Sequence, residues 1–196
     1  GINMANQPKY VTSAKPKVGG SIYSAPIGTA LPTDATTALN TAFKCLGYVS
    51  DDGVQNSDDR KTTDIKSWGG DIVNSVQTEK TDTFKYTLIE ALNVDVLKEI
   101  YSDSNVTGGL DTGITVKSNS TELDEHVIVI EMVLRNNVLK RIVLPSAKVT
   151  DVGEIKYKDG DNVGYETTVT CFPDDNSNTH YEYIVKPKTA VSRGDR

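Results

Sequence analysis

A mainly β fold with one short helix is what this chain of 196 residues predicts. Three observations lead there. From Val127 to Phe172 apolar and polar residues alternate at the period of two that a half-buried strand requires, with turn residues at intervals. A second alternation sets Phe84, Tyr86 and Leu88 against Lys85, Thr87 and Ile89. Only the segment 93–103 carries apolar residues at spacings of three and four behind a good helix cap.

In chain order, Gly1-Ile2-Asn3 reads as an expression scar ahead of a natural start at Met4. Residues 4–17 are polar and aperiodic, with Pro8 and Pro16, as in a flexible N-terminal arm. Residues 18–186 then read as a single β domain. Short apolar pieces broken by Gly and Pro at 18–32 predict one or two short strands. Residues 34–40 have room for a helical turn, and 43–50 reads as a strand. The segment 51–70 is acidic first, then basic, and rich in loop formers. It is expected as a long loop. Residues 71–92 read as two strands joined near Glu79–Asp82. In the helix, Asn93 is the cap and Asp95 sits where the helix dipole favours an anion. Val96, Leu97, Ile100 and Tyr101 form a narrow stripe for packing on the sheet. A loop at 105–113, a short strand at 114–120 and a link at 121–125 follow.

The strongest patterning is a meander. Ile128, Ile130, Met132 and Leu134 share one face of a strand at 126–135, and Asn136-Asn137 suits a tight turn. Residues 138–144 return and are expected to stop at Pro145. Residues 147–157 set Val149, Ile155 and Tyr157 against Lys148, Thr150, Glu154 and Lys156. Lys158–Asn162 is a turn signal. Residues 163–172 set Val163, Tyr165, Thr167, Val169 and Cys171 against Glu166, Thr168 and Thr170. A last strand at 180–189 ends at Pro187, leaving a polar tail at 187–196.

Composition narrows function. A hydrophobic content of 37% suits one core, and a net charge of −6 argues against a surface that grips nucleic acid. Cys45 and Cys171 read as free thiols of a protein made in a reducing cytoplasm. No apolar run reaches the roughly 20 residues a bilayer span needs. His126 and His180 show no metal spacing, so each reads as a structural histidine rather than a base. The acid pairs Asp51-Asp52, Asp58-Asp59 and Asp174-Asp175 fall among Ser, Asn and Gly, as solvated turns do. The stretch 51–59 resembles a calcium loop, but Thr62 stands where an EF-hand places its final glutamate. Trp68-Gly69-Gly70 is either an aromatic that anchors a loop onto the core or an exposed binding residue. The chain is therefore not expected to be an enzyme, nor to hold a cofactor or metal.

Several pieces in order resemble the major tail tube proteins of long-tailed, non-contractile (siphovirus-type) bacteriophages. They are CLGYVSDDGV (45–54), IKSWGGDIV (65–73), TDTFKYTLIEALNVDVLKEIYSDSNV (81–106) and VGYETTVTCFPD (163–174). The resemblance implies a β-sandwich or open β-barrel with one flanking short α-helix. It implies a structural subunit that stacks in hexameric rings around a channel for genome DNA, which passes without specific binding. Partners would be further copies of the chain, a tape-measure protein, and tail terminator and distal tail proteins. The location would be the virion tail, after assembly in the host bacterial cytoplasm, with no membrane. By analogy, strands 71–79 and 81–92 with part of the meander would line the channel. The arm 4–17 and the loop 51–70 would then make contacts between subunits and rings. Asp51, Asp52, Asp58, Asp59, Arg60, Lys61 and Trp68 are the candidates for those contacts, and Val96, Leu97 and Ile100 for helix packing. Rings give every sheet edge a neighbour, and an acidic balance suits a pore in which DNA slides. The competing readings are the tube of a contractile tail or secretion system, and a monomeric β-sandwich that binds carbohydrate through Trp68 and tyrosines.

Overall fold

The computed structural model describes residues 5–188. Residues 1–3, for which a scar is expected, Met4 and the part of the expected tail from 189 onward lie outside the described residues. The strands are β1 (Ala14–Pro16), β2 (Ile22–Pro26), β3 (Lys44–Cys45), β4 (Gln55–Lys66), β5 (Ile72–Leu88), β6 (Val106–Gly109), β7 (Gly113–Val116), β8 (His126–Leu134), β9 (Leu139–Val152), β10 (Tyr165–Cys171) and β11 (Tyr181–Val185). One α-helix, α1 (Val94–Tyr101), follows β5. The fold is mainly β.

Nine strands form one open antiparallel sheet in the order β3-β2-β8-β9-β10-β5-β4, with β1 added to β8 and β11 to β9. Among the described residues the sheet does not close into a barrel, and β6-β7 is a separate small hairpin. The alternation read in β10 and the proximal part of β5 is the alternation observed: Tyr165, Thr167, Val169 and Cys171 are buried, as are Phe84, Tyr86 and Leu88. The apolar face holds Ile22, Ile128, Ile130, Leu144 and Val149. Helix α1 closes it with Val96, Leu97 and Ile100, which lie in the same core cluster. Asn93 caps α1, its side chain accepting from the Asp95 N–H at 3.0 Å.

Several boundaries differ from the sequence expectation. Pro145 does not end a strand; it sits inside β9. There the edge of β9 changes partner, from β11 at Leu139–Val143 to β10 at Ala147–Val152, and the ladder to β8 is bulged between His126 and Ile128. A missing N–H is tolerated at such a break. Beyond Val152 the strand predicted to Tyr157 does not continue, and Tyr157 is exposed. Within 34–40, residues 34–37 form bends in place of a helical turn, with Asp34 accepting from the N–H groups of Thr36 and Thr37. The strand read at 43–50 shrinks to β3 and a single bridge from Val49 to Leu88. The loop read at 105–113 holds β6. In the arm, β1 pairs Ala14–Pro16 with Leu134–Met132 of β8.

The largest correction concerns 51–70. Most of this expected loop is β4, which pairs with β5 along its whole length from Gln55↔Lys85 to Lys66↔Ile72. Every β4 residue is exposed, so neither face shows the apolar alternation that marks a half-buried strand. Likewise 71–92 holds one strand, not two. The apparent joint is a bulge, where the register shifts between Lys61 and Thr62.

Candidate assembly surface

β5 is a strand with two environments. From Asp82 to Leu88 it lies inside the sheet, paired with β10 throughout, with β4 on its other side as far as Lys85 and the Val49 bridge at Leu88. From Ile72 to Lys80 every residue is exposed. The change falls at Asp82, the last residue of β5 that pairs with β10. Beyond it β4 and β5 continue alone as a two-stranded ribbon, with both faces and both edges bare among the described residues.

The root of the ribbon is held by a buried polar cluster. The Asp82 carboxylate accepts from Asn56 Nδ2 at 2.8 Å and from Thr179 Oγ1 at 2.7 Å, and hydrogen-bonds to His180 Nδ1. His180 Nε2 lies 3.0 Å from Glu182 Oε2, and the His180 ring packs edge-on to Phe84. Burial works against the imidazolium, but the hydrogen bonds to Asp82 and Glu182 outweigh it and hold the His180 pKa above the ordinary value.

At the tip, Ser67 N–H donates to Asp71 O at 2.7 Å and Gly70 N–H to Ser67 O at 3.1 Å. Gly69 and Gly70 have φ of +104° and +97°, a backbone that side chains resist. This turn carries Trp68, which is fully exposed, so the loop-anchor reading of Trp68 is overturned. Ile65, Ile72, Val73 and Val76 are also exposed on the ribbon.

The sequence-read contact residues do not form one patch. Asp58, Asp59, Arg60 and Lys61 stand on β4 where it leaves the body, and Trp68 at the far tip. Asp51 and Asp52 lie in the exposed turn before β4, at the body end. Arg60 Nη2 lies 3.0 Å and Lys80 Nζ 3.7 Å from Asp58 Oδ2, and Lys61 Nζ 3.3 Å from Glu79 Oε2. The hydrogen bond from Arg60 holds Asp58 below the usual carboxylate range. Residues 55–59 of the calcium-like stretch are strand. Among the described residues no three His, Cys, Asp or Glu side chains are grouped to hold a metal, and no helix is long and apolar enough to cross a membrane.

Sequence reading missed the buried charges. Glu99 of α1 accepts from Ser24 Oγ at 2.9 Å and pairs with His126 Nδ1 at 3.0 Å. That hydrogen bond, opposed by burial, raises the His126 pKa. On the opposite face of the sheet, Arg141 Nε donates to Glu131, and its Nη1 donates to the carbonyls of Asp34 at 3.0 Å and Thr37 at 2.9 Å. A usable signal existed: Val127, Val129 and Glu131 share a face, and the unbroken apolar run around them marks a strand buried on both sides.

A family model described as a phage tail tube protein matches residues 4–193. The chain belongs to this family. A search of curated proteins finds no match. As a tail tube protein it is a structural subunit, a component of the phage tail that assembles with copies of itself. The exposed ribbon is the part of its structure least able to stand alone. An isolated two-stranded hairpin is marginal in water, and bare strand edges are templates for another chain.

Proposed function

We propose that this tail tube subunit forms hexameric rings that stack around a channel for genome DNA, in a non-contractile tail. The observation that carries the reading is the β4-β5 ribbon beyond Asp82, which offers two bare edges and exposed Ile65, Ile72, Val73 and Val76. Ribbons from neighbouring copies laid side by side would pair those edges and line the channel. This replaces the separate roles expected for 51–70 and 71–92, because both strands belong to one hairpin. Along the ribbon Asp59, Asp64, Asp71 and Glu79 are balanced by Arg60, Lys61, Lys66 and Lys80. Such a wall pairs charge within and between copies and leaves no cationic stripe to hold DNA. The tape-measure protein would occupy the channel first, and terminator and distal tail proteins would cap the tube, with assembly in the host cytoplasm. Asp51 and Asp52, at the body end, would meet the adjoining ring.

The experiment is negative-stain electron microscopy of the purified protein at high concentration, beside a variant in which a two-residue turn replaces residues 60–80. The intact protein is expected to give rings or hollow tubes, and the variant a folded monomer. Tubes of normal length from the variant would rule the ribbon out as the assembly element.

A further inference from the structure

The ribbon has a counterpart at the far end of its own strand. After Leu88 the chain passes Ile89, whose N–H donates to Tyr48 O at 3.1 Å, and reaches Glu90. There Pro16, Val18, Gly20, Tyr48 and Val49 line a groove of about 580 Å³. Its apolar rim is uncovered: Val18 is 98% and Tyr48 76% exposed. The floor is shaped by Gly47, with φ of +75°, where a Cβ would collide with the Glu90 carboxylate. That carboxylate accepts from Tyr48 N–H at 2.5 Å, which fixes the Tyr48 backbone beside the opening. Trp68 and this groove are thus separated by the length of β5, 17 residues, or roughly 50 Å at about 3.3 Å per residue.

From this placement we infer that Trp68 of one copy docks into the Pro16–Tyr48 groove of a second copy. The inference rests on the tail tube reading and names the contact that would link one ring to the next. Neither rim carries net charge, so docking meets no like-charge repulsion. Lys66 and Asp71 flank Trp68 on the tip, and Glu90 and Lys17 flank the groove, one of each sign on either side. A knob and hole at opposite ends of one molecule make a heterologous contact, which cannot satisfy itself in a closed pair and so extends along an axis. An indole inserted there removes a large apolar surface from water, and Tyr48 supplies an aromatic edge or face for it.

Trp68 is the only tryptophan in the chain, so intrinsic fluorescence reads the contact directly. The test follows emission and acrylamide quenching of the full chain from dilute monomer to assembled material, with electron microscopy on the same samples. It adds Val18→Glu, a fully surface change at the groove rim, and Trp68→Ala at the tip. The expected result is a blue shift and loss of quenching on assembly. In Val18→Glu the shift should disappear, and both variants should give rings or short stacks where the parent chain gives tubes. Tubes in which Trp68 stays red-emitting and quenchable would overturn the contact and leave the tube reading intact. Tubes of normal length from both variants would do the same. Absence of any self-association by the parent chain at high concentration would overturn the tube reading and this inference with it.

Discussion

The two halves of β5 share one backbone and differ in what surrounds them. Asp82–Leu88 pairs with β10 along its whole length, and with β4 as far as Lys85, and buries Phe84, Tyr86 and Leu88, while Ile72–Lys80 has one partner strand and buries nothing. The first half draws its stability from apolar surface removed from water. The second has only a two-stranded ladder, a few exposed ion pairs and β-branched residues, none of which holds a ribbon firmly in water. The domain body is thus self-sufficient and the ribbon is unfinished. The proposed assembly through the ribbon uses that division, since a ribbon already satisfied within its own molecule would have nothing to gain from neighbours.

The largest effects should come from the body. Arg141 and Glu131 form a pair in which both side chains are almost fully buried, and Arg141 also holds the carbonyls of Asp34 and Thr37. Arg141→Ala leaves Glu131 buried without its main partner and is expected to cost about 3–5 kcal/mol. Chemical denaturation of the monomer measures it. A loss under about 1 kcal/mol would mean that Lys17, 3.7 Å from Glu131, suffices to satisfy the carboxylate. Leu97→Ala, which opens a hole under α1, is expected to cost about 2–5 kcal/mol. Neither change touches the ribbon, so its amide exchange should stay as in the parent chain until global unfolding.

That contrast also explains what was legible in advance. The proximal half of β5, β10 and α1 could be read because burial of one face imposes a period on the residues that form it. Ile128 and Ile130 were legible for the same reason. Val127 and Val129 pack against a second small cluster with Phe43 on the other face, a context that alternation alone does not announce. β4 was illegible because a strand exposed on both faces is under no such constraint, and its Ser, Asp and Thr residues read as loop. Trp68 was legible as a special residue but not as an exposed one, because only the Gly69-Gly70 turn geometry lifts it clear of the body. The buried acids Asp82 and Glu99 could not be read at all. Their partners, His180 and His126, lie far along the chain and are brought near only by the sheet.

A middle-sized effect belongs to the boundary between the two regions. His180 titrates above its ordinary value when folded, so its contribution is fully present below about pH 6.5, the unfolded value. It is lost as pH rises through the folded value. His126 has the same sign through Glu99. Stability should therefore fall as the pH is raised from the mildly acidic range through and above neutrality. Replacing His180 with Gln should flatten part of that slope and loosen amides near Asp82, whereas the same change at His126 should loosen α1. A slope that persists unchanged in both variants would place the titration elsewhere.

The smallest effect on the monomer should be found on the ribbon itself. Val76→Thr removes an exposed apolar group from a face that covers nothing in the single chain, and it keeps the β-branched shape that suits a strand. Its effect on monomer unfolding is expected to lie within about 0.5 kcal/mol. Native-state hydrogen exchange sharpens the same point. Amides from Ile72 to Lys80 should open at a small fraction of the global free energy, and those of Phe84, Tyr86 and Leu88 only with the whole domain. If Val76 faces a neighbouring ribbon in the tube, the same substitution should raise the concentration at which tubes appear while leaving the monomer's melting transition in place. Equal protection of both halves of β5 in the monomer would show that the ribbon is stable alone, and it would then have no need of neighbouring copies to complete it.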